Sequence, residues 1–385
     1  MTGKVDYKSD LKRKAWMREG MVQAASDSFW NGLIGNSSDS VVHMAKNGTA
    51  KSGHTVVFQS RGNLSGKAVK GKDTAYGKGE QKRTLSSKIT VDRYRLVVDN
   101  GDEFDAVDID DLSITQHQDS RSGLSDLHVR FKDQGLFDAG QGLRGQSPSH
   151  IFDLGSKLDY NVFLDIMNNV KTSKGFTTGG TRRPLDHYRM NNGPKAKGAK
   201  GNMKKWLFIV DSDMATMLMK SEGWQNMTRH ADIRGEGNRL IACVIGTIGN
   251  LMVATAPTFF GETDGGGSGA NVHIPLNASE IEISGLRQRD GAGLWTGQEG
   301  FSAAGELYSR GLLLGANAFQ LAYGKQPDYK LQPSIDFGIN TESCCEFWTN
   351  SQKTVLELEN SKEYKQAKIA DIDFGCIAVD LKVRG

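Results

Sequence analysis

Proline is scarce, with 7 residues in a chain of 385, whereas glycine reaches 46. Glycine therefore makes the turns, and a polyproline linker is not part of the design. Cysteine is also rare. Cys243, Cys344, Cys345 and Cys376 show no metal-ligand spacing, and the adjacent pair is poor geometry for an ordinary disulfide. A disulfide framework and a zinc ribbon are both excluded, which leaves reduced thiols in a cytosolic setting. Neither sign of charge is in excess, since 48 basic and 45 acidic residues leave a net charge of +3. A dedicated nucleic-acid binder displaces counterions with a basic surplus that this chain lacks. Long apolar runs are missing as well. The N-terminal MTGKVDYKSDLKRKAWM has no apolar core for a signal peptide, and no later stretch approaches a membrane span. The expectation is a soluble protein made inside a cell, with no membrane partner.

Catalytic motifs fail at the positions that carry their chemistry. GNLSGKAVKGK (Gly62 to Lys72) looks like a phosphate-binding loop, but only three residues separate Gly62 from Gly66, and Ala68 stands where a magnesium-binding hydroxyl belongs. GGGSGA (Gly265 to Ala270) is followed by no helix pattern, so it reads as a flexible connection. The histidines form no pair at metal-binding spacing. The best enzyme signal is Asp211-Ser212-Asp213 after the apolar WLFIV. Carboxylates at the end of a strand can hold magnesium, so a metal-dependent phosphoryl or glycosyl transferase using Asp211 and Asp213 is the alternative reading. The simpler reading is that this triplet caps the next helix. A third possibility is a single-strand nucleic-acid binder using Lys195, Lys197 and Lys200 with the lysines of the earlier glycine-rich stretch. No catalytic residue, cofactor site or metal site is expected under the leading reading.

What is present is an ordered series of parts. Residues 1–54 are polar and mixed, with a short helix expected near Met17 to Trp30, and read as an arm lying on something else. Trp16, Phe29 and Trp30 are its candidate anchors, on a neighbour or in the chain's own core. TVVFQS (Thr55 to Ser60) is a strand, and a longer strand runs from Leu85 to Val98 with a phase slip near Arg93. The glycine- and lysine-rich residues between them form a projecting ribbon, because a charged loop of that length cannot bury its backbone. A helix is expected through LSDLHVRFKDQGLF to about Gly140, with a break at Gly123, followed by a loop over Ser147 to Gly155. Further expectations are a helix over Leu158 to Val170, a buried strand over Trp206 to Val210, a helix from Met214, and paired strands in LIACVIG and NLMVATA. The spacing in Glu306 to Tyr323 predicts the strongest helix, and the chain ends in a strand from Ile369 to Val383 with a second slip near Cys376.

In this order, VVFQSRGNLSGKAVKGK, TLSSKITVDRY, SRGLLLGANAFQLAYGK and IADIDFGCIAVDLKV resemble the major capsid proteins of tailed bacteriophages, the Hong Kong 97-like fold, and look most like the branch found in N-four-like podoviruses. The likeness covers residues from about 15 to 385. It implies an α+β chain with an N-terminal arm (1–54), an extension loop (55–88), a peripheral domain with a spine helix (89–157), an axial domain (158–345) and return strands to the peripheral domain (346–385). It further implies self-assembly into hexamers and pentamers of an icosahedral virion shell around double-stranded DNA, built in the bacterial host cytoplasm. Implied partners are a portal, a separate scaffolding protein and, optionally, a decoration protein, with weak contact to the packaged DNA. Under this resemblance Arg61, Lys67, Lys70, Lys72, Lys78, Lys82 and Arg83 of the extension loop meet carboxylates of an adjacent subunit.

Overall fold

Trp206–Val210 is buried at every position, which a strand achieves only at the centre of a sheet covered on both faces. The computed structural model describes residues 28–36, 40–46, 53–61, 68–79, 84–102, 116–142, 151–156, 158–171, 206–230, 244–248, 251–255, 286–289, 306–335, 340–355, 373 and 375–384. A 3-10 turn over Asn31–Leu33 leads into β1 (Ile34–Gly35), β2 (Val42–Lys46), β3 (Thr55–Arg61), β4 (Thr84–Thr90) and β5 (Asp92–Asp102). The long helix α1 (Gln116–Gln141) follows, then β6 (Ile151–Asp153), α2 (Tyr160–Lys171), β7 (Trp206–Val210), α3 (Ser212–Lys220) and α4 (Glu222–His230). The remainder is strand: β8 (Val244–Ile248), β9 (Leu251–Thr255), β10 (Leu286–Arg289), β11 (Glu306–Leu314), β12 (Phe319–Ile335), β13 (Asn340–Lys353) and β14 (Cys376–Arg384).

Two sheets and a hairpin organise these strands. The first sheet has the order β1-β2-β12-β13-β5, and α1 covers one of its faces through Leu124 and Phe131 packed on Tyr329, Cys345 and Phe347. The second has the order β6-β14-β11-β7-β9-β8, with β10 pairing the first residues of β11 on the side that β7 occupies further along. Successive side chains of a strand point to opposite faces. Leu207 and Ile209 accordingly join Leu312, Leu314 and the α1 residues Leu136 and Phe137 in one core, whereas Trp206, Phe208 and Val210 join Phe163, Ile166 and Met214 in another. The second sheet is thus sandwiched, with α2 and α3 on the far side.

The expected helix over Glu306 to Tyr323 is instead two strands in different sheets. Gly315-Ala316-Asn317 turns the chain from β11 into β12, with Asn317 at φ 52°. A run that is apolar at every position satisfies a helix template and a doubly buried strand equally, and packing decides. Here Leu312 and Leu314 face one core and Leu313 the other. Gly311 fits between Ile209 and Phe208, where a Cβ would lie 2.9 Å from the Ile209 carbonyl oxygen. Gly375, at φ 74°, receives the turn on the other side, and its carbonyl accepts from Gly315 N–H at 2.7 Å.

Smaller differences have local causes. The expected strand Leu85 to Val98 is two strands that part at Val91, because residues up to Thr90 pair with β3 whereas those from Asp92 onward pair with β13. α1 runs unbroken through Gly123, which faces open space, and from Leu124 onward it packs on the sheet. Residues 151–153, expected in a loop, form β6 by parallel pairing with β14. β14 starts at Cys376, directly after Gly375, and lies in the second sheet beside β11 and β6. β13 matches no strand expected from a pattern of its own residues, although its second half falls in the segment 346–385 expected to hold return strands, and it pairs with both β12 and β5 in the first sheet. Cys344, Cys345 and Cys376 are free, and burial pushes the Cys345 and Cys376 thiols up to about 12.

One ion pair ties the second sheet to α1. Arg310 on β11 and Asp380 on β14 are both fully buried and form a two-pronged pair at 2.6 and 2.8 Å, while a third guanidinium nitrogen donates to the Gln141 carbonyl at the end of α1. Removing one partner strands the other charge in a dry core, whereas replacing both with apolar groups relieves that penalty. Arg310→Met alone should cost about 3–5 kcal/mol in urea unfolding, and adding Asp380→Leu should recover most of the loss.

Candidate functional site

The alternating pattern of β3 and β4 gives their hairpin one apolar and one wet face. Val56 pairs with Ile89 and Phe58 with Ser87, and all four are buried, whereas Val57 stays 52% exposed on the opposite side. The buried face joins Val91 and Ala322 in a small core of its own, with Ala45 and Trp348 against it. Polar contacts lock it to the first sheet. Ser87 Oγ donates to Gln320 Oε1 at 2.5 Å, Gln352 Nε2 donates to the Lys88 carbonyl at 2.8 Å, and Asn350 Nδ2 donates to the Thr90 carbonyl at 2.7 Å. The hairpin root is therefore fixed in position and direction.

The tip differs. Every residue from 68 to 79 is exposed, including Lys70, Lys72 and Lys78, and a Cβ added at Gly71, Gly77 or Gly79 would meet nothing within 4 Å. Two turns shape it. Asp73 N–H donates to the Lys70 carbonyl at 3.4 Å with Gly71 at φ 64°, and Lys78 N–H donates to the Ala75 carbonyl at 3.2 Å with Gly77 at φ 78°. Positive φ at these positions is what such turns require of glycine. Arg61 closes the hairpin register opposite Thr84. Lys67, Lys82 and Arg83 lie outside the described residues.

A second arrangement holds the arm. Asp133 on α1 accepts from Ser28 Oγ at 2.8 Å and from Phe29 N–H at 2.7 Å. Burial pushes the Asp133 carboxyl above the usual range, against the opposing pull of Lys132 and these two donors. Trp30 is then fully buried, with its ring 5.0 Å from Phe137 and 5.4 Å from Phe319, and Phe29 packs 5.5 Å from Phe137. Phe29 and Trp30 thus pack within their own chain, whereas Trp16 lies outside the described residues. Nearby, His128 is buried edge-on to Phe347 with both ring nitrogens unpartnered. Burial, helped by Lys132, pulls it down to about 3.

The enzyme alternative has its decisive carboxylate occupied elsewhere. Asp211 is buried and caps α3, its Oδ1 accepting from Met214 N–H at 2.8 Å, and Asp213 lies inside the same helix. Among the described residues no group of three or more histidine, cysteine or acidic residues is placed to hold a metal ion. Lys195, Lys197 and Lys200 lie outside the described residues.

Comparison with known proteins then decides the architecture. The phage capsid protein family model matches residues 4–180. The capsid of Ralstonia phage GP4 superposes with a TM-score of 0.62 at 17% identity over 93% of this chain and 92% of that one. The fold is that of a tailed-phage capsid protein. The capsid protein of Helicobacter pylori bacteriophage KHP30 gives a TM-score of 0.62 at 14% identity, covering 92% of this chain and 90% of its own. That of cyanophage Pam1 gives 0.57 at 12% identity, covering 93% of each. No curated protein matches the sequence. The mixed helix and sheet architecture is Hong Kong 97-like.

Sequence reasoning singled out the finger lysines but overlooked Ser28, Asp133, Ser87, Gln320 and Tyr76. The first four are ordinary polar residues whose roles arise from contacts across more than 100 positions. Tyr76 carried a readable signal, being the sole aromatic between Gly62 and Arg83.

Two outcomes follow for the folded chain. Trp30→Ala should destabilise the isolated subunit by about 3–5 kcal/mol in urea, because a large cavity opens between arm, helix and sheet. His128 is neutral when folded and has an ordinary value when unfolded, so its contribution is intact above about pH 6.5. That contribution is lost as pH falls toward 3, by at most about 1.4 kcal/mol per unit. His128→Leu should flatten the acid limb of stability against pH between 6 and 4, measured by urea midpoints, and leave the neutral region unchanged or raised.

Proposed function

We propose that this chain is the shell-building subunit of a phage head, forming hexamers and pentamers of an icosahedral capsid that encloses double-stranded DNA. The observation that carries the reading is the finger, clamped at its root and exposed along its described tip. A single subunit gains nothing from holding residues 68–79, rich in glycine and lysine, in water beyond a clamped hairpin root. In a shell, the same segment reaches a neighbouring copy, and each subunit repeats the contact. Exposed ion pairs contribute only about 0–1 kcal/mol each, yet repetition around a closed lattice makes many weak pairs sufficient.

The parts take roles from their packing. The hairpin with residues 62–83 serves as the extension loop. The first sheet with α1 as spine helix serves as the peripheral domain. The second sheet, with α2, α3 and α4, serves as the axial domain at capsomer centres, so the chain crosses between the two at the turn after β11. The near-balanced charge of +3 suits a container that encloses a polyanion without gripping it. A portal, a separate scaffolding protein and an optional decoration protein are the partners such a shell would need. The likeness to the N-four-like branch rests on sequence motifs alone.

Arg61 and Thr84 are register partners, so the finger can be removed without disturbing the strands. Replacing residues 62–83 with Asn-Gly closes the hairpin through a two-residue turn whose twist matches the strands. The resulting subunit should unfold at the same urea midpoint as the intact chain within about 1 kcal/mol. It should fail to form closed particles in sedimentation and negative-stain microscopy; normal shells from this variant would remove the finger from the account.

A further inference from the structure

We propose that Tyr76 is the aromatic anchor of the finger, seating its ring in an apolar slot with an acidic rim on an adjacent copy of this chain. The inference rests on the shell reading above and deepens it by naming the residue that carries the contact. Tyr76 is 94% exposed, the highest value among the exposed large hydrophobic side chains of the described residues. It occupies the second position of the Ala75–Lys78 turn, with Gly77 at φ 78° following it, so the backbone presents the ring at the apex. Nearby Gly71 and Gly79 add no side chain that would shield it, and open space surrounds the Cβ position of each.

Tyrosine suits such a role physically. Its ring buries a large area at the loss of only two side-chain rotations, and its hydroxyl finds a partner at a polar rim. Interfaces concentrate their binding energy in a few such residues, surrounded by contacts that mainly exclude water. Lys70, Lys72 and Lys78 on the same finger outnumber its described acid, Asp73, so an anionic edge on the receiving surface is what would complement them. The lysines then guide approach and register, while the ring supplies the short-range hold.

A nucleic-acid occupant is the rival, since lysines beside an aromatic can also hold a stacked base. Stacking platforms, however, use successive aromatics along a groove, and the whole stretch from Gly62 to Arg83 contains Tyr76 alone. The second copy is therefore the occupant the residues favour.

The test uses the full-length chain as wild type, Tyr76→Phe and Tyr76→Ala. Subunit folding is followed by thermal melts, and assembly by light scattering and sedimentation across protein concentration. All three should melt alike, because the side chain is solvated in the free subunit. Tyr76→Ala should need about tenfold more protein to form particles, and Tyr76→Phe should stay within a few-fold of wild type. Tyrosine nitration read by mass spectrometry should modify Tyr76 in free subunits and spare it in particles. If wild type forms shells and Tyr76→Ala assembles at the same concentration, or if nitration proceeds equally in both states, this inference falls and the shell reading stands. If wild type never associates, both fall together. A salt-sensitive shift of a labelled single-stranded oligonucleotide that Tyr76→Ala abolishes would assign the ring to nucleic acid instead.

Discussion

A hairpin held rigidly at one end and solvated at the other is the constraint on which the molecule's use depends. Its root is secured by a small core around Phe58 and Ile89 and by the buried contact of Ser87 with Gln320. Because that root sits on β12 and β13, its direction is set by the first sheet. A contact made by the tip therefore positions the whole subunit relative to whatever it grips. Loose attachment would let the same lysines bind in many orientations, of which the proposed closed shell tolerates only a few.

The first sheet is in turn tied to the second by the run from β11 through Asn317 into β12, and by the close approach of α1. Gly140 permits that approach, since a Cβ there would lie 2.7 Å from Leu312 Cδ1 and 2.9 Å from Phe319 Cζ. Arg310 completes the link by bridging Asp380 and the last turn of α1. The arm adds a further tie through Asp133 and Trp30, packed where α1 meets β12. Buried polar groups of this kind cost desolvation, and they hold one arrangement of helix and sheets against others of similar apolar content.

Much of this was legible in the residues. The alternation in TVVFQS, the doubly buried WLFIV and the spacing of α2 all gave the right element, because each pattern fits a single packing environment. The run SRGLLLGANAFQLAYGK did not, since β11 and β12 follow one another across a short turn and read together as one apolar stretch long enough for a helix, whereas WLFIV is too short for one. α1 was legible as a helix although its stripe is weak, with buried Ser125, His128, Asp133, Asp138 and Gln141 along it. The lysine-rich finger stood out by composition. The anchors that orient it did not, because Ser87, Gln320 and Asp133 acquire meaning only when distant segments meet.

The most direct test of the central claim asks to which chain the finger belongs once particles form. Equal amounts of protein in natural nitrogen and in heavy nitrogen would be mixed as free subunits, assembled, and treated with a lysine-reactive crosslinker before mass spectrometry. Crosslinks from Lys70, Lys72 and Lys78 should join light to heavy peptides as often as random mixing of neighbouring copies allows. Finger crosslinks that occur only within light or only within heavy chains would show the finger folded onto its own subunit, and would contradict the account.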